Sequence, residues 1–161
     1  MENTKTKFIY PAGLTVEREP HILSTLLGSC VAVCIWDFRM KFGGMNHFIL
    51  PLWNGAGLAS PKFGNIAIEV LIDKMVSQGS SKENMVAKIF GGASMLSSQS
   101  QTYNIGMRNI ELAQGLLLKA GINIIASSTG GIKGRKVLFN TNTGDVFLKF
   151  LTNNNSPEIN G

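Results

Sequence analysis

Apolar positions along this chain recur with two periods. The first third is made of short apolar runs separated by turn residues. Phe8–Ala12 and Ile22–Leu27 have the length of short strands, and Ser29–Trp36 (SCVAVCIW) is β-branched and apolar, the pattern of a buried strand. Asp37–Phe42 turns the chain, and Gly44–Leu50 continues as a second strand ended by Pro51. After a loop over Leu52–Pro61, the period changes. Apolar residues at 63, 66, 67, 70, 71 and 75 predict a helix over Phe63–Val76, with Gly79 as its stop. Val86–Phe90 is a strand, Ile105–Lys119 a second helix closed by Gly121, and Ile122–Ala126 another strand. Val137–Phe139 and Val146–Leu151 form a closing hairpin. Strands in the majority with two helices imply an α+β arrangement in which helices cover sheet faces.

At 161 residues the chain has the size of one domain with a real core, with polar tails at about 1–5 and 152–161. Apolar residues make up 44% and charged residues 16%, which excludes intrinsic disorder. The net charge of +5 comes from scattered Lys and Arg. Its densest cluster (Lys133, Arg135, Lys136) is too small for a nucleic-acid footprint, so ordinary solubility is the expected role of the charge. The N-terminus (Met1–Lys7) lacks the apolar stretch of a signal peptide, and no apolar run reaches the length of a spanning helix, so a cytoplasmic location is expected. The two cysteines, Cys30 and Cys34, lie about 13 Å apart if their run is extended, beyond disulfide reach. Both are expected as free thiols.

Chemistry concentrates between Leu26 and Pro51. Cys30 and His47 sit on the two arms of the expected hairpin, and alternation puts Cys30, Ala32, Cys34 and Trp36 on one face. A turn centred between Phe38 and Met40 brings Cys30 opposite or diagonal to His47, within side-chain reach. A thiol beside an imidazole is a nucleophile–base pair, and a nearby imidazolium would lower the thiol pKa. Cys34, between Val33 and Ile35 in mid-strand, reads as a small buried hydrophobe. Cys30 follows Gly28-Ser29, where the turning backbone can leave N–H groups free for an oxyanion. On composition and spacing alone, an unreactive cysteine and an ordinary satisfied histidine stay open.

Several motifs in order sharpen this. LGSCVAVCIWD (Leu27–Asp37), GGMNHFILP (Gly43–Pro51), FGNIAI from Phe63, AKIFGGASM (Ala87–Met95), IGMRNI (Ile105–Ile110) and TGGIKGRKVLFNTNTGDV (Thr129–Val146) closely resemble the CheD family of chemoreceptor glutamine deamidases. The resemblance implies a hydrolase that converts chosen glutamines of methyl-accepting chemotaxis receptors to glutamate, with release of ammonia. It implies Cys30 as nucleophile and His47 as base. A threonine six positions before the cysteine completes the set, and here serine stands in its place with the hydroxyl kept. That count falls on Ser24, with Thr25 beside it as the second choice. It also implies a β-sandwich flanked by helices, similar to the cytotoxic necrotizing factor deamidases, and a CheC-type phosphatase as a second partner.

No cofactor or metal is expected, since His21 and His47 with two cysteines lack ligand spacing. Gly91-Gly92-Ala93-Ser94 and Gly130-Gly131 match no phosphate loop, and tight backbone approach is their simpler explanation. By the resemblance, these loops lie near the catalytic face. Arg108 and Asn109 are read as structural. Two rival functions follow from the same residues: a non-enzymatic activator of a CheC-type phosphatase, and a different cysteine hydrolase.

Overall fold

The computed structural model describes residues 4–94 and 104–152. Nine strands and two helices follow the order β1 (Lys5–Phe8), β2 (Leu14–Glu17), β3 (His21–Leu27), β4 (Val31–Asp37), β5 (Phe42–Asn46), α1 (Gly64–Ser77), β6 (Met85–Gly91), α2 (Ile105–Ala120), β7 (Asn123–Thr129), β8 (Arg135–Asn140) and β9 (Val146–Phe150). They build a four-stranded sheet, β1-β3-β8-β9, and a five-stranded sheet, β2-β5-β4-β6-β7. Both sheets are mixed: β1 runs parallel to β3 and β6 parallel to β7, while the other pairs are antiparallel. The α+β class expected from the pattern is present. Of the expected tails, 1–3 and 153–161 lie outside the described residues, as does Met95 of the AKIFGGASM motif, and Lys5 already belongs to β1.

Two hydrophobic layers hold the elements together. Between the sheets, Leu23, Leu27, Val137 and Phe139 of the four-stranded sheet meet Ala32, Cys34, Met45 and Phe90 of the five-stranded one. On the far side of the five-stranded sheet, Val31, Val33, Ile35 and Ile89 pack against Ala67, Ile68, Leu71 and Met75 of α1 and Ile110, Ala113 and Leu117 of α2. Strand β4 is covered on both faces, which is why its sequence is apolar almost without alternation. Both helices therefore lie on one outer face. Removing a fully buried ring such as Phe139 would cost about 3–5 kcal/mol.

Boundaries moved where local chemistry overrode the pattern. The turn occupies Phe38–Lys41, since Asp37 Oδ1 accepts from the N–H groups of Arg39 and Met40 and fixes an Asx turn. Strand β5 thus starts at Phe42. It carries two glycines because both of its faces are closely packed. A Cβ at Gly43 would meet the Ile35 carbonyl and, at 3.0 Å, the Phe139 ring; one at Gly44 would meet the Thr15 carbonyl and Leu71. Helix α1 buries Gly64, Ala67, Ile68, Leu71, Ile72 and Met75, a face rotated by about one residue from the expected one, leaving Ile66 and Val70 half-buried. Helix α2 is capped by Asn104, whose side chain accepts from Met107 N at 3.0 Å, and ends on Gly121 in the left-handed region.

Candidate active site

Cys30 stands where the chain passes from one sheet to the other. Strand β3 ends at Leu27 in the four-stranded sheet and β4 begins at Val31 in the five-stranded one, so Gly28-Ser29-Cys30 makes the crossing. All three carbonyls of that crossing are held. Gly28 O accepts from Ala93 N at 2.9 Å, Cys30 O from Gly92 N at 2.9 Å, and Ser29 O from Asn109 Nδ2 at 3.1 Å. With its carbonyls so engaged, the segment is rigid, and the N–H of Cys30 faces its own Sγ. The Cys30 thiol is half-buried and free; the Cys34 thiol is also free but fully buried.

The loops that hold the crossing need glycine. Gly91 and Gly92 have φ of +107° and +73°, and a Cβ at Gly91 would strike the Cys30 carbonyl. The first turn of α2 seats equally close, with Gly106 against the Gly92 and Ala93 carbonyls. Behind them, Gly130 N donates to Gly91 O and Ser94 N to Gly131 O. Arg135, almost wholly buried, donates to Gly130 O, Lys133 O and Ser128 Oγ and stacks on Phe150. Of the glycine pairs singled out in the sequence, Gly91-Gly92 is thus a site of tight backbone approach beside Cys30, whereas a Cβ at Gly130 or Gly131 would meet open space and glycine there serves the positive φ of +82° and +74° instead.

His47 lies just beyond β5. Val31 and Phe48 pair as an antiparallel bridge, so Ala32 stands opposite His47, and Cys30 is its diagonal neighbour on the same face. Diagonal positions are about 7–8 Å apart along the backbone, within reach of two side chains. The His47 peptide is fixed from the other side: Ala12 N donates to His47 O at 2.8 Å, and His47 N donates to Gly13 O at 3.1 Å. The residue is 3% exposed.

Among the described residues the imidazole has one side-chain partner, and it is Thr25 rather than Ser24. Thr25 Oγ1 lies 2.7 Å from His47 Nδ1 and donates its single proton to Ile9 O at 2.6 Å. Having spent that proton, the hydroxyl accepts, which places a hydrogen on Nδ1 and leaves Nε2 with its lone pair. Among the described residues, Nε2 is buried without a hydrogen-bond partner. An unpaired buried acceptor costs about 1–3 kcal/mol, a penalty typical of groups kept ready for a proton.

Ser24 is correspondingly displaced. It pairs laterally with Phe8 and Leu138, while Thr25 points inward with Leu23 and Leu27, fully buried. The hydroxyl six residues before Cys30, on Ser24, therefore lies on the opposite strand face, and the one that meets His47 is Thr25, five residues before it. Apolar residues occupy both faces of β3 (Ile22 and Leu26 as well as Leu23 and Leu27), so alternation in the sequence did not choose between the two hydroxyls.

The electrostatics also differ from expectation. Burial pushes the His47 pKa down to about 4, against a smaller opposing effect of the Ile9 carbonyl. Burial likewise raises the Cys30 thiol above its ordinary 9.0, partly offset by its own backbone N–H. At neutral pH both groups are uncharged, so no imidazolium is present to lower the thiol. The pair is built for proton transfer during attack rather than for a standing ion pair. Among the described residues, no three His, Cys, Asp or Glu side chains gather as a metal would require, and no helix is long and apolar enough to cross a membrane.

Comparison with known proteins shows the family. Residues 50–150 match the family model described as CheD chemotactic sensory transduction. The chain is 52% identical over 141 residues to the probable chemoreceptor glutamine deamidase CheD of Trichlorobacter lovleyi, covering 88% of each. To the protein of the same description from Sulfurimonas denitrificans it is 47% identical, covering 90% of this chain and 94% of that one. Among solved structures, Bacillus licheniformis hypothetical protein YfiH overlaps 68% of this chain and 49% of its own, at a TM-score of 0.45 and 18% identity. With half its residues shared along nearly the whole length of such relatives, this chain belongs to the CheD family.

Proposed function

We propose that this protein deamidates glutamine side chains of chemoreceptors, using Cys30 as nucleophile, His47 as general base and acid, and Thr25 to hold the imidazole. The observation that carries this reading is the Thr25–His47 hydrogen bond, which leaves an unprotonated Nε2 on the face it shares with Cys30. The substrate class comes from the relatives, which are described as chemoreceptor glutamine deamidases. Receptor signalling segments of that kind are reached from the cytoplasm, where we place the protein. The two facing sheets with both helices on one side are in keeping with a cysteine deamidase of the necrotizing-factor type.

The steps balance with these groups alone. Sγ attacks the glutamine amide carbon as its proton passes to His47 Nε2. The negative oxygen of the tetrahedral intermediate meets the Cys30 N–H, a donor held in place by the fixed crossing. The C–N bond breaks, and the His47 proton leaves with ammonia, giving a thioester. Water then gives a proton to Nε2 and adds to the thioester carbon. The C–S bond breaks, the thiol recovers its proton, and glutamate is released. The neutral resting pair suits the first step, since no charge has to be created before substrate arrives.

The test is peptide mass spectrometry of chemoreceptor cytoplasmic fragments incubated with the purified protein. Conversion of particular glutamines to glutamate, with matching ammonia release, is expected. Binding of a CheC-type phosphatase with no conversion would overturn the enzymatic reading in favour of a binding role.

A further inference from the structure

One buried side chain has no part in the chemistry above and yet touches both arms of the site. Asn109, on the second turn of α2, is fully buried. Its Nδ2 donates to Ser29 O at 3.1 Å and to Ile49 O at 2.9 Å. Two carbonyl acceptors fix which end of the amide is nitrogen, since a flipped amide would set Oδ1 against both oxygens. The cost of this orientation is an Oδ1 without a partner among the described residues.

The strand register explains why an amide is required there. Val31 and Phe48 exchange both backbone bonds, so the next rung of a regular antiparallel ladder would join Ser29 to Leu50. That rung is missing. Leu50 N and Ile49 N both donate to Lys62 O instead, at 3.0 and 2.8 Å, and the chain leaves the ladder after Phe48. Ser29 O is thereby deprived of its ladder donor, and Ile49, which stands across from Cys30, turns its N–H to Lys62 O. The Asn109 amide inserts at this fork. One N–H replaces the lost rung on the residue before Cys30, and the other holds the residue two beyond His47.

We infer that Asn109 is a positioning residue for deamidation: it sets the separation of the Cys30 thiol and the His47 imidazole by bridging the fork between their strands. The inference rests on the deamidase reading for its substrate. Asn109 meets two carbonyls, not the reacting atoms, so it acts only through the geometry of the pair. A misplacement of about 1 Å between nucleophile and base is worth about 10²-fold in rate.

The test uses the full chain with Asn109→Ala, Asn109→Asp and Asn109→Gln, each assayed on receptor fragments well below its own melting temperature. Asn109→Ala is expected to lower kcat about 10- to 100-fold, with KM within about twofold. Asn109→Asp, which puts oxygen in place of the donor, is expected to be worse, and Asn109→Gln, which keeps the amide, to recover part of the loss. In parallel, iodoacetamide alkylation of Cys30 is followed against pH without any receptor. Release of the crossing should solvate the thiol and shift its alkylation midpoint downward in Asn109→Ala. A role in stability alone would lower the melting temperature while kcat and the alkylation midpoint stay at wild-type values, and that result overturns the inference. If Asn109→Asp does not fold, the Ala and Gln variants decide. If wild type converts no receptor glutamine, the functional reading fails, and the alkylation midpoint alone decides whether Asn109 tethers the thiol.

Discussion

Titrating the protein between pH 3 and pH 10 separates two ways in which Cys30 and His47 can cooperate. The thiol is raised above 9.0, so its ionised fraction at pH 7 is below about 1%. The imidazole, held at about 4, is protonated only to about 0.1% at that pH. The reactive form of the free protein is therefore the neutral pair. It persists until the imidazole gains a proton at the acid end and until the thiol loses one at the alkaline end. The profile of kcat/KM, which reports groups of the free enzyme, should be flat from about pH 5 to about pH 9 and half-lost near pH 4. Iodoacetamide reacts with thiolate alone, so Cys30 alkylation at pH 7 should run below about 1% of its limiting rate and climb about tenfold per pH unit to beyond pH 9. Both curves are measurable on one preparation, by ammonia release and by intact mass. An acid limb centred near 6.5, or alkylation already at its plateau between pH 5 and 8, would refute the neutral pair and require a standing thiolate–imidazolium.

Thr25→Val removes the acceptor from His47 Nδ1 and should lower kcat by about 10²-fold. It also strands the Ile9 carbonyl at a cost of about 1–3 kcal/mol in a urea titration. Thr25→Ser should retain most of the activity and Ser24→Ala nearly all of it, whereas a loss confined to Ser24→Ala would return the role to Ser24. Because the folded pKa of His47 lies below the ordinary 6.5, the unfolded chain binds more protons between pH 4 and 6.5. Stability from this group is complete above 6.5 and lost as pH falls towards 4. The loss between pH 7 and pH 5 is at most about 2 kcal/mol, and a His47→Gln variant should show a shallower slope. Gly92→Ala places a Cβ at positive φ against the Ile110 side chain and 2.9 Å from Gly106 O, and should cost about 2–4 kcal/mol by thermal melting.

Much of this architecture was legible from residue order because burial imposes period. The unbroken apolar run of β4 announced a strand covered on both faces, and the gaps of three and four in α1 and α2 announced helices. Strand β2 was not legible. Over four residues only Leu14 and Val16 alternate, and the strand exists because it pairs with β5. The Cys30–His47 pairing followed from hairpin logic, since the turn centre limits the register to neighbouring choices. What the sequence could not supply was the surroundings of the pair. The Ile9 carbonyl reaches Thr25 from the parallel β1 segment, and the Asn109 amide comes from a helix some 80 residues away. Partners of that kind depend on layer packing, which leaves no local period. The pKa directions were missed for the same reason, because depth of burial is a tertiary property.

The claim on which the rest depends is that Cys30 forms a covalent thioester with the substrate glutamine. It is met most directly by mixing protein with receptor fragments, quenching in acid within the first turnover and mapping the Cys30 peptide by mass. A receptor peptide joined to Cys30, with the mass of ammonia lost, is expected in wild type. Cys30→Ala should give neither adduct nor glutamate, and Cys34→Ala should give both. Glutamate formed at the wild-type rate by Cys30→Ala would contradict the mechanism outright.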